Sequence, residues 1–484
     1  MRRGCGGIRY GSDSSGAHAR GSSGGSHFRR RRLAPGRCLV GAAPTREGDL
    51  NALLDAAVVA VIGTVTALWV ARRLDGIVNP VSLYISAWTA CLSLFLLRLL
   101  PYEYLRPSTV AIIWTSSGCF IGGVLITRLR GWRALSADIA GRYSRQDAAA
   151  TRNVITVIMV TLLGLEMLAF SLYLIEVASI RGIGSFLTNL AAVRILKPDL
   201  RYPAILLWAG AIYCWLLAAG RAHDSPDGLP RWLMWGVPVA LIPFLMTTGR
   251  TELFFVAITA VVARFLRDGR HISLTKFELA VTPAIAVILL VFFVGLSYLL
   301  GKFAADTAVE FGFPERLILL ADPYIYATGG FAALNQLLSD VTVGGDLSGP
   351  LTFWPAHRLL YALGVAPTPV SWVADYVEIP NLFNTYTFLE PYYRDYGVLG
   401  CFGASFTLGV IGGVLHQVAV IGSMAGARIP YAIFAFAIFI SPFVNHFSQL
   451  VVPFLIVVFT GLTWAAGSIS NARRNHVFGS FLAS

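Results

Sequence analysis

Between Asn381 and Gly400 the chain reads NLFNTYTFLEPYYRDYGVLG, where hydrogen-bonding and ionisable groups crowd together. Asn384, Thr385, Tyr386 and Thr387 come first, Glu390 follows, and Tyr392, Tyr393, Arg394, Asp395 and Tyr396 close the cluster. Beyond Gly397 the sequence is apolar to about Met424. A carboxylate can take a proton from a hydroxyl. A guanidinium is a permanently charged planar fork that matches phosphate or carboxylate oxygens. A cluster with one such cation, two carboxylates and several phenols exceeds what solvation at a bilayer edge requires. It reads as a ligand site at the mouth of a membrane helix. The plainer alternative is an interfacial aromatic belt with one surface ion pair.

Two basic features accompany it. Thr247-Thr248-Gly249-Arg250-Thr251-Glu252 is a short polar break between two apolar runs. Gly249 permits the turn, which leaves Arg250 at the membrane edge, either facing a ligand or paired with Glu252. Segment 179–201 carries Arg181, Arg194, Lys197 and Arg201 against the single acid Asp199. Such a cationic excess attracts a diphosphate or an anionic lipid head group; phospholipid binding without catalysis is the simpler reading. His357-Arg358 and Asn445-His446 are weaker candidates, since a histidine can act as a base but also serves as an ordinary interfacial polar residue. Nothing resembles a phosphate-binding glycine loop, a dinucleotide fingerprint, an HExxH pair or a DxD sugar-nucleotide site, so no motif for a metal or another cofactor is evident.

The elements that must position these groups are membrane helices. The 484 residues are 56% hydrophobic and only 13% charged, with a mean hydropathy of +0.66, against about 25% charged in a soluble domain. An all-α polytopic integral membrane protein follows. Apolar runs long enough to span, at about 17–25 residues each, fall near 50–71, 80–99, 108–127, 153–178, 202–220, 232–248, 251–266, 278–300, 396–422, 429–446 and 449–468. About eleven spans (10–12) are expected, eight of them within 50–300 and three within 396–468. A large external segment, 301–395, lies between spans 8 and 9, and a short tail, 469–484, follows the last. Within 301–395, ADPYIYATGGFAALNQLL (321–338) reads as a helix lying at the surface or dipping into it, and LTFWPAHRLLYALG (351–364) is amphipathic and aromatic. The segment reads as a folded cap. Residues 1–49, rich in Gly, Ser and Arg, lack the apolar content to bury a core and read as a disordered basic tail. The six cysteines show no CxxC and no regular spacing, which supports neither a disulfide framework nor a zinc site.

Arginines set the orientation. With eleven spans, Arg72 and Arg73, the arginine-rich stretch 128–152, the cluster Arg264, Arg267, Arg270 and Lys276, and the pair Arg473 and Arg474 all fall on one side, the cytoplasmic one. Much of the net charge of +12 lies in the N-terminal tail and in short loops, and does not imply nucleic acid. The exception is the tail, whose Arg29–Arg32 run is placed outside; either one more helix is present or residues 1–49 are not native to the protein.

NTYTFLEPYYRDYGVLG resembles the signature of the oligosaccharide repeat-unit polymerases, the O-antigen polymerase (Wzy-type) family, in which a Y-x-D-[FY]-G element opens a late helix. Gly249-Arg250, the Tyr-Ala-Thr-Gly-Gly…Leu-Asn pattern at 326–335 and NPVSLYISAW at 79–88 are similar to that family as well. The resemblance in layout covers about 50–470, and its specific motifs about forty residues. It implies a GT-C-like, metal-independent glycosyltransferase in the bacterial inner membrane with its active face periplasmic. Donor and acceptor are undecaprenyl-diphosphate-linked oligosaccharides, and a flippase and a chain-length regulator are the implied partners beside membrane lipids. On this reading Arg394 and Arg250 stabilise the departing diphosphate, with Arg181, Arg194 or Arg201 as clamps. Asp395, Glu390 and His357 are the candidate bases. Tyr386, Tyr392, Tyr393 and Trp354 offer faces for sugar rings, and Asn384, Thr385 and Arg358 offer hydrogen bonds.

An O-antigen ligase would share the arginine-rich mouth and differ in acceptor. A flippase or transporter would show paired half-repeats and charged or broken helices at mid-membrane; here the polar groups gather at one face. A non-catalytic scaffold for glycan assembly would not need clustered external arginines.

Overall fold

The computed structural model describes residues 46–74, 76–144, 148–182, 184, 210, 212–214, 216, 230–247, 250–267, 287, 290, 291, 293–295, 297, 298, 309, 311–340, 348–365, 374–421, 425–449, 452–458, 460 and 461. The first apolar runs become α1 (Arg46–Arg73), α2 (Pro80–Leu96) and α3 (Pro107–Ile126). The arginine-rich stretch after α3 folds as α4 (Arg130–Ser144), ahead of α5 (Ala148–Arg181). A 3-10 turn, Arg231–Trp235, leads into α6 (Gly236–Thr247), and α7 (Arg250–Arg267) follows. A second 3-10 turn, Glu315–Leu320, opens α8 (Ala321–Asp340). Then come α9 (Trp354–Ala362), a small hairpin of β1 (Val377–Ile379) and β2 (Asn381–Phe383), α10 (Glu390–Ile421) and α11 (Ala425–Ile440). Most of the expected spans 202–220 and 278–300, and much of 449–468, lie outside the described residues.

Five stretches among the described residues are long and apolar enough to cross a membrane: Leu50–Arg73, Pro107–Ile126, Ile155–Glu176, Glu315–Ser339 and Glu390–Ile421. Pro80–Leu96, Phe254–Leu266 and Arg428–Ile440 are shorter apolar helices. The chain is a helical multi-pass membrane protein.

Local sequence explains where the key helices start and how they pair. Asn79 caps α2: its side chain accepts from the Ser82 amide at 2.9 Å and donates to Gly76 O, while Pro80 occupies the first turn, where its missing N–H costs nothing. α3 and α10 run parallel through small residues. A Cβ on Gly409 would lie 2.1 Å from Phe120 O, and one on Gly123 2.2 Å from Phe406 O, so only glycine lets these backbones meet. Further along both helices, Gln417 Nε2 donates to Thr127 O at 2.8 Å. That parallel pairing agrees with α3 and the 396–422 run crossing in the same direction. α11 is apolar all round and buried from Ile429 to Ile438, as a helix at the centre of a bundle must be. Phe434 and Ile438 face the aromatic core of α2, α3 and α8; Phe436 meets Phe255 of α7 edge-on, and Tyr431 donates to Val78 O, just before α2.

α8 decides the expectation for 321–338. Of the two readings, a helix lying at the surface is excluded and one dipping inward stands: Phe331, Ala333, Leu334 and Leu337 are buried, and Phe331 meets Trp88 and Phe95 of α2. Thr328, Asn335 and Tyr324 on it are hydrogen-bonded inside the protein. Thr328 donates to Tyr102 Oη at 3.0 Å. Asn335 Oδ1 accepts from the Arg106 amide and the Thr109 hydroxyl, both at 2.8 Å, and so caps α3, whose own N-cap residue makes no side-chain cap. Tyr324 accepts from the Leu99 amide at 3.0 Å. Tyr324 and Asn335, three turns apart on α8, thus both meet the α2–α3 connection.

Candidate functional site

The hairpin begins the site. Pairing of Ile379 with Asn381 leaves Pro380 alone in the turn and turns Phe383 inward, against Tyr326 and so close to Gly329 that a Cβ there would lie 2.8 Å from its ring. The extended residues that follow are fixed by the loop after α11. The Phe388 amide donates to Ser441 O at 2.9 Å, and Asn445 Nδ2 donates to Phe388 O at 3.0 Å. Trp88 Nε1 donates to Ser441 Oγ at 2.9 Å, and the Phe388 ring sits edge-on to Tyr84, Trp88 and Tyr392. Phe388 is thereby held at the middle of α2.

α10 is interrupted. Gly397 has φ 65° and ψ −152°, a backbone conformation nearly exclusive to glycine. The turn Glu390–Tyr396 therefore departs from the direction of the long helix after it. On this turn Arg394 Nε lies 2.5 Å from Glu390 Oε1, with the side chains only 18% and 14% exposed. Arg394 Nη1 also reaches Asp375 Oδ2 at 3.4 Å, and that acid is 87% exposed. Tyr386 completes the group: the guanidinium carbon stands 5.5 Å from its ring centre, and its hydroxyl donates to Asp375 O at 3.0 Å. Burial pushes the Tyr386 phenol up to about 12, with the nearby Arg394 charge opposing, so at neutral pH it is a hydrogen-bond donor and not a base.

A cavity of about 230 Å³ opens beside this group, lined by Leu351, Trp354, Ala374, Asn384, Thr385, Tyr386, Thr387, Glu390, Pro391, Val444, Asn445, Ser448 and Gln449. Its polar wall is mostly amides and hydroxyls, which suit the hydroxyls of a carbohydrate; Glu390 brings a carboxylate and Trp354 an indole. The Thr387 hydroxyl, buried on this wall, has no hydrogen-bond partner.

The structure thus brings together Glu390, Asn384, Thr385, Tyr386 and Trp354, with Arg394 directly behind Glu390. It uses others differently. Asp395 is 3% exposed and accepts from the Thr352 amide at 2.6 Å and the Leu351 amide at 3.1 Å; it seats the turn that carries Leu351 and Trp354 into the cavity wall. Tyr392 and Tyr393 are not stacking faces: both are buried in the aromatic core, and neither lines the cavity. His357 and Arg358 stand on α9 away from the lining. His357 Nδ1 is buried without a hydrogen-bond partner, and Arg358 lies 5.7 Å from the Trp354 ring. Arg250 opens α7 and Arg181 closes α5, but the side chains of both, and all of Arg194 and Arg201, lie outside the described residues.

Asp375, Ser448 and Gln449 are contributors that the sequence did not single out. Ser448 and Gln449 fall in the polar break NHFSQ, where a membrane-face hairpin explains the polarity equally well; Asp375 is a lone acid in a loop. Asn445 Oδ1 accepts from the Ser448 amide at 3.0 Å, a local turn that aims both side chains at the cavity. Among the described residues no three His, Cys, Asp or Glu side chains converge as a metal ligand set. No family model, curated protein or solved structure matches the chain.

Proposed function

We propose that this protein polymerises lipid-diphosphate-linked oligosaccharide repeat units at the outer face of the bacterial inner membrane, through an eleven-span arrangement whose mouth is the cavity beside Glu390. The observation that carries this reading is a carboxylate held by a guanidinium, Glu390 to Arg394 at 2.5 Å, on the wall of a cavity otherwise lined by neutral amides, hydroxyls and an indole. The family resemblance of the 384–397 motif supports it.

In this reading the non-reducing sugar of the acceptor enters the cavity and rests against Trp354. Glu390 takes the proton from the acceptor hydroxyl as its oxygen bonds to the anomeric carbon of the donor chain. The bond from that carbon to the diphosphate breaks, and undecaprenyl diphosphate leaves with the electron pair. Negative charge grows on the leaving group, where a fixed cation lowers the barrier; on this reading Arg394 supplies it, with Arg250 as its partner. Glu390 is preferred to Asp395 as the base because both Asp395 contacts described above are spent on backbone amides.

The test is glycan chain length in a strain lacking the gene, complemented at equal membrane abundance by wild type, Glu390→Gln or Arg394→Ala. Wild type restores long polymer, while the variants leave single repeat units. Normal polymer from both variants removes this site. A wild-type protein that changes only whether glycan reaches the outer face supports a transporter instead.

A further inference from the structure

The other end of α3 carries a basic, amphipathic surface that the cavity does not use. α3 ends at Ile126, and after a three-residue turn α4 runs from Arg130 to Ser144. One side of α4 packs on α10 through Ala140 and Ile139 against Val418 and Val414. Along the same apolar arc Leu129, Trp132 and Leu135 remain 59%, 37% and 47% exposed. Arg130 and Arg133 are exposed on the flank. Arg128 Nη2 donates to Leu74 O at 3.2 Å, which fixes the end of α1, with exposed Arg72 and Arg73, beside the start of α4. Among the described residues none of Arg72, Arg73, Arg130 or Arg133 has an ion-pair partner.

We propose that α4 lies in the interface of the bilayer and that the collar of Arg72, Arg73, Arg130 and Arg133 binds anionic phospholipid head groups. Charge and shape fit this occupant. The patch adjoins the ends of two stretches long and apolar enough to span, Leu50–Arg73 and Pro107–Ile126. An amphipathic helix there rests its apolar arc on the acyl boundary and its cations in the head-group layer, and an exposed Trp is at home at that depth. A soluble acidic partner would leave Leu129, Trp132 and Leu135 in water. This inference is independent of the polymerase reading.

The test reconstitutes the full chain in phosphatidylcholine vesicles with trace spin-labelled phosphatidylglycerol or phosphatidylcholine. Electron paramagnetic resonance then separates lipid held at the protein from bulk lipid. A single surface arginine strengthens anionic binding by about fivefold at its own site, which averaged around the protein gives a preference for phosphatidylglycerol of roughly twofold. Arg130→Gln/Arg133→Gln cuts that excess by half or more, Arg130→Lys/Arg133→Lys retains it, and high salt weakens it in wild type. Arg72→Gln/Arg73→Gln, on a different helix, gives a second arm with the same expected direction. A wild type without preference, or two glutamine pairs that both keep the wild-type preference, overturns the proposal.

Discussion

Replacing Arg394 by alanine leaves Glu390 buried beside a missing cation, and two separable losses follow. Removing one member of a fully buried pair costs about 3–5 kcal/mol, because the remaining charge is stranded. Here the two side chains are 18% and 14% exposed, so water reaches both, and about 2 kcal/mol of stability is expected, as for a hydrogen bond to a charged group. The Asp375 contact adds little, since that acid is 87% exposed and an exposed pair contributes about 0–1 kcal/mol. Catalysis should fall much further, by about 10²–10³-fold, the effect of deleting one donor aimed at developing charge. A double variant separates the two losses. Glu390→Gln/Arg394→Met removes both charges and keeps the volume, so it should recover most of the lost stability while still making no polymer. The assays are thermal unfolding of the purified protein and glycan laddering at matched abundance. Two results would refute the reasoning: polymer made by the double variant, or an Arg394→Ala protein as stable as wild type.

Asp395→Asn replaces an acceptor of two backbone amides with a group that also carries donors, so the 348–352 turn should loosen. Half-saturation for acceptor should rise about tenfold with little change in maximal rate, measured with purified lipid-linked substrate; equal loss in both would make Asp395 catalytic. Gly409→Val should separate α3 from α10 and lower the unfolding temperature by several degrees, at about 1–3 kcal/mol of overpacking, whereas Gly403→Ala, with nothing within 4 Å of its Cβ, should be silent; melting curves decide. Asn335→Ala strands the Arg106 amide and the Thr109 hydroxyl and should cost about 1–3 kcal/mol, while Asn335→Asp, which keeps the acceptor, should cost less in the same denaturation assay. Trp354→Ala should weaken acceptor binding more than Trp354→Phe, read as half-saturation by acceptor.

What could be read from the sequence depended on whether a residue's role is local. The Asn384–Glu390 stretch declared itself because polar groups beside an apolar run need a reason, and Asn384, Thr385, Tyr386 and Glu390 line the cavity together with Trp354 and Asn445. The helices followed from runs of apolar residues. Roles fixed by distant partners were hidden. Tyr392 and Tyr393 look like sugar platforms until the Phe388 box and the 441–449 loop bury them. Asp395 resembles a base until two amides from a turn some forty residues earlier occupy it. α8 reads as a wetted helix because Thr328 and Asn335 lower its hydropathy, and nothing local reveals that Tyr102, Arg106 and Thr109 satisfy them.

The glycine break at 397 divides α10 into two parts that answer to different demands. The long part is constrained by lipid and by close glycine contacts with α3, where almost any substitution is punished. Of the seven residues before the break, Glu390 and Pro391 line the cavity, so the cavity wall can change without re-laying that interface. On the proposed function, sugar preference can therefore shift at the wall while the membrane frame is kept. The same separation offers an engineering route: Asn384 and Thr385 on the cavity wall can be exchanged, provided Phe388, Tyr392 and Tyr393 of the core and the Asp395 contacts are kept.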